Sequence, residues 1–313
     1  MATFTTTAQH RGIGSQRLER AIALARGAAS DVRGTAANAR RSLAWAPAFA
    51  RDLTIVLGVI GVYFVLRGLA PTRLDESVAL TNDLVAVEKA TYTFWEPQIQ
   101  DWSLQNHWVQ ELANFTYAYL HFPVLAMVAI WLWFRDRSRF VFLRTVMFTS
   151  MVIGLFVYYA FPAAPPRLME LHGYDMGFTD TVFGAETSVS YAQPSLITNE
   201  YAAIPSFHFG WIALASAAIW TTTRNPFART VAVSLTVLMT WAIVASANHL
   251  FIDMALGGLV IVASWWVAGH LSVAKRFVAR QARATRAHQP IELPASQWLA
   301  PNAAFAAREV CAA

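Results

Sequence analysis

Residues 53–69 read LTIVLGVIGVYFVLRGL, an apolar run broken by a single charge, Arg67, near its end. A helix needs about 20 such residues, within a range of roughly 17–25, to cross the hydrocarbon core of a bilayer. Five further segments have the same character: Leu112–Phe134, Thr145–Phe161, Phe207–Thr221, Thr230–Ala247 and Leu250–His270. Lipid offers no partner to backbone N–H and C=O groups, so each segment is expected to be an α-helix. The chain therefore reads as an all-α polytopic membrane protein with six transmembrane helices. Phe207–Thr221 is the shortest, and Pro205 suits the first turn of a helix beginning there.

Composition agrees. Charged residues make up 14% of the chain, against about 25% in a soluble domain. A net charge of +5 would fit a nucleic-acid partner, but Arg and Lys cluster between the apolar runs, which is a topology signal. No nucleic-acid partner is expected. Arginines from Arg11 to Arg51 precede the first span, and Arg135, Arg137, Arg139 and Arg144 follow the second. Arg224 and Arg229 follow the fourth, and Lys275, Arg276, Arg280, Arg283 and Arg286 follow the sixth. All four regions fall on one side, which the positive-inside rule makes cytoplasmic, with both termini. The opposite loops are acidic, with Asp75, Glu76, Asp83, Glu88, Glu96 and Asp101 in one and Glu170, Asp175, Asp180, Glu186 and Glu200 in the other.

The chain divides into a basic tail at 1–51, a membrane domain at 52–270 and a polar tail at 271–313. The first tail is Arg- and Ala-rich and reads as partly disordered or as a helix on anionic lipid. Residues 80–107 are too polar to span. With Trp95, Trp102 and Trp108 they read as an interfacial helix. The first apolar run starts after about 50 residues, so nothing reads as a cleaved signal peptide. The single Cys311 excludes an intrachain disulfide.

Three groups of residues can carry chemistry. Arg167 ends the stretch PAAPPR (162–167), directly after the third span. A guanidinium at an outward boundary suits a phosphate, although it can also snorkel. Ser206 and His208 lie in IPSFHFGW (204–211), at the start of the fourth span. A helix N-terminus binds anions through free N–H groups, although Ser206 can be a plain cap. His249 and Asp253 lie in ANHLFID (247–253). Four apart, they are expected on one helical face, where a carboxylate fixes the imidazole tautomer and frees its other nitrogen as nucleophile or base. An Asp within a span is a functional candidate by default. The topology brings all five to the outer membrane face.

The order Pro-Pro-Arg, Pro-Ser-x-His and His-x-x-x-Asp resembles the type 2 phosphatidic acid phosphatase superfamily, which also includes the vanadium haloperoxidases. The phrases PAAPPR, IPSFHFGW and ANHLFID look most like its inositol phosphorylceramide synthase and sphingomyelin synthase branch. The likeness covers roughly residues 50–270. It implies that His249 attacks phosphorus and carries a phosphohistidine, that Asp253 orients it, and that His208 protonates the leaving alkoxide. Arg167 and Ser206 would hold the phosphoryl oxygens, without metal or other cofactor. Phosphoryl transfer is mostly positioning and charge neutralisation, which such a set can supply.

Two departures bear on the substrate. The phosphatase pattern has a Lys at the position of Ala160 and an Arg at that of Ile243. Without those cations a dianionic monoester loses more than a singly charged phosphodiester. The implied function is a membrane lipid phosphotransferase that moves a phospho-headgroup between lipids at the outer face of the plasma membrane. Plain hydrolysis of phosphatidic acid or an isoprenoid phosphate is the alternative.

Other readings are weaker. A haem protein using His121, His208, His249 or His270 would need facing histidines at one depth, and His270 lies at the inner end. A transporter would show inverted repeats and interrupted spans. His121, with Pro123, reads as packing or a water contact. Asn114-Phe115-Thr116 is a glycosylation pattern inside a span. His107 and His270 read as bland, and His172 is placed in the outer loop near any headgroup.

Overall fold

The computed structural model describes residues 44–183 and 198–287. Nine α-helices are named among them: α1 (Ala46–Gly68), α2 (Leu74–Ala90), α3 (Glu96–Leu104), α4 (His107–Phe115), α5 (His121–Arg135), α6 (Arg137–Ala160), α7 (Phe207–Thr222), α8 (Pro226–Ala245) and α9 (Phe251–Ala287). Local chemistry sets several starts. Asp136 caps α6 by accepting the N–H groups of Ser138 and Arg139, both at 3.1 Å. Asn106 caps α4, and Asn225 caps α8 with Pro226 behind it.

Five stretches are long and apolar enough to cross a membrane: Ala46–Gly68, His107–Arg135, Arg137–Ala160, Pro226–Ala245 and Phe251–Ser272. The remaining expected span, α7, has 16 residues. At 1.5 Å per residue it reaches about 24 Å, short of a hydrocarbon core of about 30 Å. It lies inside the bundle instead, packed on α5, α6, α8 and α9. Its helix begins at Phe207, after Ser206 rather than at Pro205. The interfacial segment is two helices, α2 and α3, with Trp95 and Trp102 exposed. The last helix runs past residue 270 to Ala287. Most of the two terminal tails, and Glu186, lie outside the described residues.

The outside of the bundle is apolar. Leu57, Val62, Met127, Val152, Phe156, Val237 and Val262 are exposed, a pattern that suits lipid rather than water. The inside holds α7 by shape. A Cβ on Gly154 would overlap the Phe207 ring. That ring stacks on Trp211 at 4.8 Å, whose indole N–H donates to Ser150 at 3.1 Å.

The two ends of the bundle differ. At one, Arg51, Arg137 and Arg144 converge on buried Asp52, and Arg139 reaches the Thr221 carbonyl. At the other, α2, α3 and the segments 161–183 and 198–206 cover the ends of α1, α6 and α8. Gln100 there donates to the Ala245 carbonyl at 3.1 Å, and Asn199 to the Ala70 carbonyl at 3.1 Å.

Candidate active site

Arg167 enters the protein on a stiff Pro-rich segment. The segment is pinned to the chain ahead of α7, because Ala163 N–H donates to Tyr201 O at 2.9 Å and Ala203 N–H to Ala163 O at 3.2 Å. Arg167 is 5% exposed, so it is no snorkelling side chain. Its backbone N–H donates to the Ala247 carbonyl at 2.9 Å. Its Nε donates to Asn248 Oδ1 at 3.1 Å and its Nη1 to Asp180 Oδ2 at 2.9 Å. Glu200 stands 3.5 Å from Nη2, and the guanidinium lies over the Phe183 ring.

Ser206 precedes α7 but makes no side-chain cap. Its Oγ is buried without a hydrogen-bond partner among the described residues. Its backbone N–H donates to the Asp253 carbonyl at 3.0 Å. That close approach requires Gly257, where a Cβ would overlap the Ser206 carbonyl oxygen. The start of α7 is thereby locked to the first turns of α9.

His249 and Asp253 do meet, but not along a helical face. The helix begins at Phe251, two residues after His249. Asp253 reaches back from the third helical position and accepts the Leu250 N–H at 2.9 Å, the return bond of a capping box. The same oxygen, Oδ2, is 3.4 Å from His249 Nδ1. The intervening turn is strained. Ala247 has φ 52°, a left-handed conformation that costs a non-glycine residue on the order of 1 kcal/mol. That residue supplies the carbonyl that receives Arg167.

His208 completes the set. Its ring centroid is 5.7 Å from that of His249, 4.7 Å from that of His121 and 4.6 Å from that of Tyr117. Its Nε2 is buried and unpartnered among the described residues. Arg167, His208 and His249 line one cavity of about 100 Å³. About 10–15 Å³ of such space holds one water, so the cavity has room for several waters and admits a phosphoryl group. Ser206 and Asp253 stand behind its wall.

The cavity also contains residues that sequence reasoning passed over. His121, read as packing or a water contact, is in its wall. A π-turn at Thr116–Leu120 separates α4 from α5, and Tyr117 and His121 both reach the cavity there. Such bulges often mark functional sites, but nothing in the sequence marks this one. Arg67, from the end of α1, also lines the cavity. Glu88 and Glu96, read only as loop acids, lie behind the turn that carries His249. They accept the N–H groups of Ile252 at 2.7 Å and Phe251 at 2.8 Å. Burial first, and the neighbouring Glu96 carboxyl second, push the Glu88 carboxyl up to about 8.

The other sequence candidates stay apart from the cavity. His172 Nε2 is 3.3 Å from the Tyr201 hydroxyl. His270 Nδ1 contacts the Trp266 carbonyl at 2.8 Å. Asn114 is buried and donates to the Thr181 carbonyl at 2.7 Å. Among the described residues no three His, Cys, Asp or Glu side chains are grouped to hold a metal ion.

A family model described as the PAP2 superfamily matches residues 82–267. No curated protein and no solved structure matches the chain.

Proposed function

The chain belongs to the PAP2 superfamily, and from that premise we propose that it is a membrane lipid phosphotransferase working through a phosphohistidine on His249. One observation carries the reading: His208 and His249, with Asp253 behind it, line one cavity that also contains Arg167 and has room for a phosphoryl group. With Nδ1 turned to Asp253, His249 offers Nε2 to phosphorus. The P–O bond to the leaving lipid breaks as the N–P bond forms, and His208 gives that oxygen its proton. In the second half an alcohol gives its proton to His208 and takes the phosphoryl group from His249. Arg167 neutralises charge on the phosphoryl oxygens, and the Ser206 hydroxyl behind the wall, unpartnered among the described residues, has to turn into the cavity to reach them. The cavity lies at the end away from the Arg-rich connections, so the positive-inside rule turns it outward.

The substrate reading is a phosphodiester lipid. Position 160 is Ala and position 243 is Ile, buried, with its carbonyl taken by the N–H groups of Asn248 and His249. Asp180 and Glu200 further offset Arg167. A charge-assisted contact is worth roughly 1.5–3 kcal/mol, so two missing cations cost a dianion about 10² to 10⁴ in rate. The synthase-like branch of the resemblance fits this balance.

The test is a labelled phosphodiester donor, such as a phosphoinositide, with and without diacylglycerol or ceramide. Label appearing in the acceptor lipid is the expected result. Water as the sole acceptor, with phosphatidic acid turned over faster than any diester, replaces the transferase with a plain phosphatase.

A further inference from the structure

We propose that Arg67, carried by α1 outside the segment 82–267 that defines the family match, is a second phosphate-binding cation of this cavity. The inference rests on the phosphoryl-transfer reading of the site.

Three observations place it. First, Arg67 lines the same cavity as Arg167, His208 and His249. Second, its guanidinium is oriented from two directions. Nη2 donates to the Asn199 carbonyl at 3.2 Å, and the group lies over the Tyr158 ring, 5.6 Å from the centroid. Third, α1 is fastened at this height, because the Tyr159 hydroxyl donates to the Leu66 carbonyl at 2.9 Å. Tyr158 and Tyr159 immediately precede Ala160. The guanidinium therefore enters beside the end of α6, whose position 160 is Ala; Arg73 is also there, but it is held by the Tyr159 carbonyl at 2.7 Å and by Glu76 and does not line the cavity.

A charged group at this depth is expensive unless it faces a polar cavity. Arg67 can bind an oxygen that Arg167 does not reach, since Arg167 is tied to Asn248 beside the nucleophile. With Arg167 in the same lining, two guanidiniums neutralise a tetrahedral anion and hold phosphorus for attack. With Arg167 and Arg67 the site has two cations where the phosphatase pattern has three, which keeps it suited to a singly charged diester.

The experiment measures orthovanadate affinity of the full-length protein, by shift of its melting temperature, together with kcat/KM on the best donor. Arg67→Gln should weaken vanadate binding about 10- to 100-fold, the loss of one charge-assisted contact, with a matching fall in kcat/KM. Arg67→Lys keeps the charge and should lose clearly less. Vanadate affinity in Arg67→Gln within two-fold of the parent overturns the proposal. So does equal loss in both variants, which assigns Arg67 to holding the Asn199 backbone. Failure of the phosphoryl-transfer reading looks different: the parent protein itself then neither binds vanadate nor turns over a phosphoester.

Discussion

His249 and Asp253 meet across the start of α9, with Nδ1 and Oδ2 3.4 Å apart, because Asp253 is folded back to cap Leu250. One carboxylate thus caps the helix end and stands beside the imidazole, whose Nδ1 has no hydrogen-bond partner among the described residues. Any change at Asp253 acts on both.

Asp253→Asn keeps an acceptor for Leu250 N–H but no longer stabilises a positive charge developing on His249. The expected loss is about 10- to 100-fold in turnover, with a small change in melting temperature. Asp253→Ala should lose as much turnover and also destabilise the protein by about 1 kcal/mol, the value of a cap. Steady-state assays and thermal melts on both variants check this. A full-rate Asp253→Asn enzyme contradicts the orienting role.

His249 and His208 should respond differently to the leaving group. His249→Ala should abolish phosphohistidine trapping and turnover with every donor. His208→Ala should cost far less on p-nitrophenyl esters than on alkyl esters, because nitrophenolate leaves without protonation. Comparing the two ester classes decides it. Equal losses on both speak against His208 as the acid.

Glu88 predicts a pH dependence of stability. Its carboxyl stands at about 8 in the fold against 4.5 ordinarily, so the folded state holds a proton that the unfolded state releases. The associated stability is complete below about 4.5 and is lost as pH rises through about 8. The melting temperature should fall across that window. Glu88→Gln preserves an acceptor for Ile252 N–H and should flatten the fall. An identical pH profile in parent and variant removes Glu88 as its source.

Gly257→Ala should destabilise the protein, because the added methyl overlaps the Ser206 carbonyl oxygen. Overpacking typically costs about 1–3 kcal/mol. Since the same contact sets α7 against α9, turnover should drop even at temperatures where the variant is folded. Melting curves and assays at low temperature measure the two effects separately.

Orthovanadate, which adopts the pentacoordinate geometry of the transition state, should inhibit competitively, and chelators should leave activity intact. Activity lost in chelator and restored by Mg²⁺ contradicts the mechanism written for His249 and Arg167.

Much of this architecture follows from the sequence because lipid imposes a local rule. An apolar run such as 53–69 must form a helix whatever surrounds it, since its backbone has no other partner. Arginine placement likewise separates the two ends without knowledge of packing. The three short motifs are contiguous, so Arg167, His208 and His249 were legible as candidates. The short α7 was legible as apolar, but its place inside the bundle was not, because length alone does not say which neighbours surround a helix.

What only the tertiary structure decided are relations between residues far apart in the chain. Arg67 reads as a stray charge in an apolar run until α1 packs beside Tyr158. His121 reads as packing until the π-turn brings it within 4.7 Å of His208. Glu88 and Glu96 read as solvated acids until they cap α9 from over 150 positions away. Even His249 and Asp253, close in space, differ in geometry from the sequence reading, because spacing assumes a helix and the helix begins only after Leu250. Period and composition report the local environment of a segment; which distant side chains share one cavity is set by how the helices pack.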